Sequence, residues 1–217
     1  MDTLEYIYGR FRIDKSSTDS VLNKAAKSPI EVVRSREGAF PRLINNLNFK
    51  VGAEIGVASG YFSRHLCHYC PNFKLYSVDA WELFGGCTKD KTQKDMDKLY
   101  EIARGNLTGL NCQIIRDWSM NAVKRFADES LDFVYIDAAH DYKNVYNDIK
   151  EWSKKVRMGG IIGGHDYMDP NFDGKKDYYK EIYDVKAAVN DWVKANNINP
   201  LFVLTKVNCR SWFYVKT

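Results

Sequence analysis

Apolar residues in this chain gather in short unbroken runs rather than in strict alternation. VGAEIGV (51–57), KLYSVDA (74–80), CQIIR (112–116), LDFVYID (131–137) and GGIIGG (159–164) are the clearest of them. They are rich in Val, Ile, Tyr and Phe, as strands are when a parallel sheet is covered by helices on both faces. Between the runs the period changes. YFSRHLCHYC after the first run and SMNAVKRFA after the third read as helices. Over 142–156, Val145, Ile149, Trp152 and Val156 recur at steps of four, three and four, which is one face of a helix, and Asp141 stands before it as an N-cap. Further helices are expected over 30–48 and 184–196.

The last two runs, LFVLT (201–205) and SWFYV (211–215), are separated by only five residues, KVNCR. Five residues cannot hold a crossover helix, so these strands should be antiparallel. The pattern therefore predicts an α/β fold: a doubly wound, seven-stranded, mostly parallel sheet with an antiparallel C-terminal hairpin and helices on both faces. No internal repeat or interdomain linker interrupts it. Residues 1–30 show no clear period and carry a polar DKSSTDS stretch. The expected organisation is an N-terminal extension, 1–30, and a single domain, 31–217.

Composition narrows the class. A chain of 217 residues with 45% apolar and 14% aromatic content can bury a substantial core. No apolar stretch approaches the ~20 residues of a membrane span. The N-terminal MDTLEYIYGRFRID has no apolar h-region, so no signal peptide is expected. Five cysteines, odd in number and irregularly spaced, fit a reducing compartment, and a cytoplasmic location is expected. The net charge of +4 is mild, and acidic residues interleave with the lysine clusters. That describes a solvated surface, so neither a nucleic-acid nor a membrane partner is expected.

Chemistry concentrates where strands should end. EIGVASG (54–60) stands at the first strand–helix turn, where Gly56 and Gly60 let backbone approach a ligand closely. Asp79 ends the second strand, 19 residues after Gly60, placed to accept hydrogen bonds from both hydroxyls of a ribose. The dinucleotide fingerprint would need glycines at 56, 58 and 61, but Ala58 and Tyr61 stand there. The triplet His-Asp-Tyr then occurs twice, at 140–142 and 165–167, each closing an apolar run. Asp137, His140, His165 and Asp166 thus come from the ends of two strands that should be neighbours. Carboxylates with imidazole there suit Mg²⁺, Mn²⁺ or Ca²⁺, the imidazole favouring Mn²⁺ or another transition ion. His140 would remain as a general base. Plain structural roles compete: Asp141 as a helix cap, His165 as a satisfied strand-end histidine. Cys67-x-x-Cys70 near His65 and His68 has metal-like spacing, but on an amphipathic helix packing is the better account.

Taken in order, EIGVASG, SVDAW, VYIDAAHDY and GGIIGGHDY resemble class I S-adenosylmethionine-dependent methyltransferases, and more narrowly the metal-dependent O-methyltransferases related to macrocin O-methyltransferase, over roughly residues 50–170. The resemblance implies a Rossmann-like fold whose last strand is reversed. It implies that Glu54, Gly56, Ala58 and Gly60 line the methionine and ribose part of S-adenosylmethionine, that Asp79 holds the ribose, and that Asp117, Trp118 and Ser119 border the adenine. It implies Asp137, His165 and Asp166 as ligands of Mg²⁺ or Mn²⁺, with Asp137 also facing the cofactor, and His140 as the base. Ala58 replaces a common glycine, and relatives often carry a carboxylate or amide where His165 stands. The expected acceptor is a sugar with neighbouring hydroxyls, with a catechol as the alternative; S-adenosylhomocysteine is the product, and a homo-oligomer is an open option. Trp81, Tyr178 and Tyr179 are candidates to stack on the sugar. A nicotinamide oxidoreductase, an amine methyltransferase and a non-catalytic nucleotide-binding module are the rival classes.

Overall fold

Strand Leu131–Ile136 (β5) is buried along its whole length, and its residues divide between the two faces of the sheet. Phe133 and Tyr135 enter one apolar cluster, Val134 and Ile136 the other. This period of two, with both sets apolar, is what an unbroken apolar run produces in a central strand. The computed structural model describes residues 2–10, 27–88, 91–169, 184–207 and 209–217. Its elements are α1 (Thr3–Arg10), β1 (Ile30–Val32), α2 (Arg36–Asn46), β2 (Val51–Ile55), α3 (Tyr61–Tyr69), β3 (Lys74–Asp79), α4 (Gln93–Leu107), β4 (Cys112–Arg116), α5 (Ser119–Ala122), β5, α6 (Tyr142–Lys155), β6 (Val156–Gly164), α7 (Val185–Ala195), β7 (Phe202–Leu204) and β8 (Ser211–Val215).

The sheet runs β1-β7-β8-β6-β5-β2-β3-β4. Every described pairing is parallel except those of β8 with β6 and with β7. The expected reversal at the C-terminus is therefore confined to β8. Helices α1, α2 and α3 cover one face through Ile7, Phe40, Leu43 and Leu66, and α6 and α7 cover the other through Ile149, Trp152 and Val189. Phe40 meets Phe133, Tyr135 and Phe213 at ring-centroid distances of 5.3, 5.3 and 5.7 Å, tying β5 and β8 to α2.

Three departures from the sequence reading have physical causes. The sheet has eight strands, not seven: β1 is three residues long and pairs only with β7 at the sheet edge, too short to register as a period. The helix expected from residue 30 consequently starts at Arg36, capped by Ser35. Helix α4 was not expected, because its sequence QKDMDKLYEIARGNL buries only Met96, Ala103 and Leu107. Its start was nonetheless written in a capping box, Thr92 with Asp95. Within the N-terminal extension, α1 docks Tyr6 and Ile7 into the core. Cys67 and Cys70 are buried among apolar neighbours of α3, in keeping with a packing role.

Candidate active site

A cavity of about 600 Å³ opens beyond the carboxyl ends of β2, β3, β4 and β5, lined among others by Glu54, Gly56, Ala58, Asp79, Asp117, Trp118, Ser119, Asp137 and His140. Its floor begins at the turn after β2. Gly56 has φ +90°, and its N–H donates to Val78 O at 2.8 Å. A Cβ there would lie 2.1 Å from Asp137 O, so this glycine lets the ends of β2 and β5 touch. The N–H groups of Val57 and Ala58 donate to Asp79 Oδ2 at 2.8 and 2.9 Å, and Trp81 N–H donates to Oδ1 at 2.8 Å. Asp79 thus clamps the turn to β3. Ala58 sits at φ +48°, which explains why glycine is common there. Gly60 is not a cavity residue; it caps α3 at φ +79° and packs against Ala103 of α4.

Trp81 does not face an acceptor. It is fully buried against Val57, Ala103 and Leu107, and its Nε1 donates to Ala58 O at 2.8 Å. A turn at φ +48° swings the ring inward, which a lone aromatic among polar letters does not reveal. Tyr178 and Tyr179 lie outside the described residues.

Glu54 stands at the buried end of the cavity, where Ser63 Oγ donates to Oε2, and Ser77 continues the chain to Ser63 at 2.5 Å. Burial pushes its carboxyl up to about 8 against the opposing hydrogen bond from Ser63. Below about pH 4 both folded and unfolded chains hold this proton; between there and about 8 only the folded chain does. The stability this acid supplies is therefore complete at low pH and lost as pH rises through about 8. Glu54→Gln is expected to flatten the fall in melting temperature between pH 5 and 9 by a few kcal/mol equivalent. Parallel melting curves for both proteins across that range would remove the assignment.

Beyond Gly56 the cavity reaches a second cluster. Asp137 and His140 follow β5, Asp166 follows β6, and these strands pair in parallel register. One ligand atom from each of Asp137, His140 and Asp166 lies within 4.8 Å of the other two. His140 Nδ1 is 3.1 Å from Asp166 Oδ2. His165 sits on the flank, its Nδ1 3.2 Å from Asp166 Oδ1 and 3.7 Å from Asp137 Oδ1. The convergent trio thus contains His140, expected as the base, rather than His165, expected as a ligand. Two carboxylates and an imidazole fit a divalent cation of the Mn²⁺ or Mg²⁺ kind. Burial, reinforced by Asp166, holds Asp137 above the ordinary carboxylate range despite the opposing charges of His165 and Arg36. For Asp166 burial acts the same way, but His165 and His140 outweigh it and its pKa is lowered. Asp166 has φ +56°, a conformation that Asp tolerates better than most residues.

Sequence reasoning missed Arg36. Its guanidinium donates to Asp137 Oδ2 at 2.9 Å and to Tyr135 Oη at 3.2 Å, and lies 4.7 Å from the Phe62 ring centroid. It stands 101 residues before its partner, at the first position of α2, and no local spacing signals it. Asp148, from α6, also lines the cavity unannounced.

The adenine-end residues expected from sequence come together as a wall. Trp118 is 5.7 Å from Phe84 between ring centroids, and its Nε1 donates to Glu82 Oε2 at 3.0 Å. Asp117 pairs with Arg125 and accepts from Trp118 N–H at 2.9 Å. Ser119 Oγ donates to Asp148 Oδ1 and accepts from Trp152 Nε1 at 2.9 Å.

An open, mostly parallel sheet with an acid-clamped glycine turn and a cavity at its carboxyl edge defines a nucleotide-cofactor enzyme of the Rossmann-like class. The chain belongs to the methyltransferase domain family, whose model matches residues 53–167, more than half of the sequence. No curated protein matches it. Solved structures share the fold. A candidate caffeoyl-CoA O-methyltransferase from Staphylococcus aureus superposes with a TM-score of 0.63 at 16% identity, over 87% of this chain and 86% of its own. The O-methyltransferase from Bacillus cereus, solved with S-adenosylhomocysteine, gives 0.60 at 17% identity, over 85% and 82%. TomG from Streptomyces achromogenes, an O-methyltransferase of tomaymycin synthesis solved with S-adenosylmethionine, gives 0.57 at 15% identity, over 86% and 82%. At these identities the likeness speaks for the fold. Among the described residues, no helix is long and apolar enough to cross a membrane.

Proposed function

We propose that this methyltransferase uses S-adenosylmethionine and a divalent cation to methylate a hydroxyl of a sugar. The observation that carries the reading is the convergence of Asp137, His140 and Asp166 at the rim of the cavity that Glu54, Gly56 and Asp79 line. The two cofactor-bound neighbours support the choice of methyl donor. In this reading Gly56, Ala58 and Glu54 border the methionine and ribose, Asp79 adds a ribose hydroxyl to the backbone donors it already accepts, and Asp117, Trp118 and Ser119 border the base. Asp137 and Asp166 would hold the cation with His165 beside them, leaving His140 to act as the base.

A bound cation would supply Lewis-acid polarisation of the acceptor hydroxyl. The residues do the rest. His140 takes the hydroxyl proton as general base, while Asp166, 3.1 Å from its Nδ1, orients the ring. Arg36 fixes the Asp137 carboxylate through Oδ2, leaving Oδ1 directed at the cluster. The acceptor oxygen then attacks the sulfonium methyl in line, so positioning carries much of the rate.

The sugar assignment rests on the resemblance of the Asp137–His140 spacing to sugar-modifying relatives. The Staphylococcus aureus neighbour favours a second reading, a catechol-like aromatic diol. Methyl transfer from labelled S-adenosylmethionine to panels of glycosides and of catechols, with and without EDTA, tests the reading. Transfer to glycosides that EDTA abolishes is expected; transfer only to catechols would replace the acceptor, and full activity in EDTA would remove the metal. His140→Ala is expected to lower turnover by about 100-fold or more with S-adenosylhomocysteine affinity kept. Undiminished turnover would reject His140 as the base.

A further inference from the structure

Asp148, next to Ser119 at the Trp118 end of the cavity, is an ionisable group without an assigned role. Trp118, Phe84, Met120, Ala80 and Ala138 give this end flat, mostly apolar walls suited to a planar heterocycle, whereas Arg36, Glu54 and Asp137 make the other end polar. Asp148 comes in from α6, the third side, and is 4% exposed. Oδ1 accepts from Ser119 Oγ, which Trp152 Nε1 in turn holds at 2.9 Å. Ser119 is its only hydrogen-bond partner among the described residues, and Oδ2 is not sealed away from the cavity that Asp148 lines. Burial raises this carboxyl to about 7. Oδ2 keeps access to the cavity and has no donor among the described residues, so a ligand N–H that reaches it adds a charge-assisted hydrogen bond. Asp117 differs in that each of its oxygens already has a donor, Arg125 on Oδ2 and Trp118 N–H on Oδ1.

We propose that Asp148 reads the base of the cofactor, its Oδ2 accepting a hydrogen bond from the exocyclic amino group of adenine while Ser119 and Trp152 fix the carboxylate's orientation. The proposal rests on the cofactor reading above. It makes Asp148 a specificity residue: a base with a carbonyl oxygen in place of the amino group sets two acceptors against each other.

S-inosylhomocysteine, the deaminated analogue of S-adenosylhomocysteine, replaces the 6-amino group with an oxo group and places a proton on the neighbouring N1. Calorimetric titration of the wild-type protein at pH 8, where the carboxyl is mostly ionised, is expected to show S-adenosylhomocysteine binding at least about 10-fold more tightly than the inosine analogue. In Asp148→Asn the preference is expected to fall to within about 3-fold, because an amide can rotate to donate to the oxo group. A purely structural role would weaken both ligands together and leave their ratio unchanged. An unchanged ratio in Asp148→Asn overturns the proposal. So does a wild-type protein that binds the two analogues equally, a result that needs no variant. Binding of neither analogue by the wild type would overturn the cofactor reading itself, a failure distinct from both.

Discussion

Asp137→Ala is expected to reduce methyl transfer by about 1,000-fold or more and to abolish the calorimetric signal of Mn²⁺ binding. Asp137 is the residue on which both halves of the site depend. Its carbonyl touches the glycine turn, its Oδ1 faces the histidines and its Oδ2 takes the Arg36 guanidinium. Alanine therefore removes a ligand and also strands a largely buried cation. Glu37 remains as a partner of Arg36 at 3.2 Å, so the stability cost should stay near ~3 kcal/mol, the low end for a broken buried pair. Asp137→Asn separates the two effects. It keeps an acceptor for Arg36 and should recover most of the stability, measured by urea unfolding, without recovering Mn²⁺ binding. Wild-type Mn²⁺ affinity in either variant would take Asp137 out of the cluster's chemistry.

Gly56→Ala is expected to be the most damaging glycine-to-alanine change among the described residues. The residue would be held at φ +90°, and its Cβ would meet backbone, Asp137 O at 2.1 Å and Asp137 C at 2.4 Å, rather than the yielding end of a side chain. Strain and overpacking together put the cost on the order of 3–5 kcal/mol, with loss of S-adenosylhomocysteine binding. Gly60→Ala provides the contrast. Its Cβ would also meet backbone, Ala103 Cα, but at 3.3 Å, and Leu107 Cγ at 3.4 Å, contacts that need give by only a few tenths of an ångström, so ~1–2 kcal/mol is expected. Equal costs for the two substitutions would show that positive φ alone, and not the contact with Asp137, governs Gly56.

The central strands were legible in the sequence because burial on both faces writes an apolar run, most completely in β5 and nearly so in β2, whereas edge strand β4 buries only Ile115 and was legible from its short apolar letters alone. The strand ends were legible for the same reason, which is why Asp79, Asp137, His140 and Asp166 could be placed before any geometry existed. What failed to show depends on contacts that leave no local period. β1 is pinned by a partner more than 160 residues away. Arg36 meets Asp137 only once the sheet has assembled. Trp81 turns inward because of one backbone dihedral and one carbonyl acceptor. The division of labour between His140 and His165 is likewise a matter of side-chain direction, and the identical His-Asp-Tyr letters conceal it. In the first triplet Asp141 caps α6, accepting from Asn144 N–H at 3.1 Å; in the second the corresponding Asp166 is one of the candidate cation-holding trio.

The contact between Gly56 and Asp137 also bears on how such an enzyme can be redesigned. Gly56 carries no Cβ against Asp137, so in the proposed reading this backbone contact acts as a ruler between the methyl-donating and methyl-accepting ends. A ruler of that kind cannot be reset by substituting residues on either side of it. Libraries aimed at new acceptors should leave residues 54–60 and 137 untouched and vary the outer rim of the cavity. Variants in which the donor-to-acceptor spacing changes should be recoverable only through insertions or deletions in the turn itself.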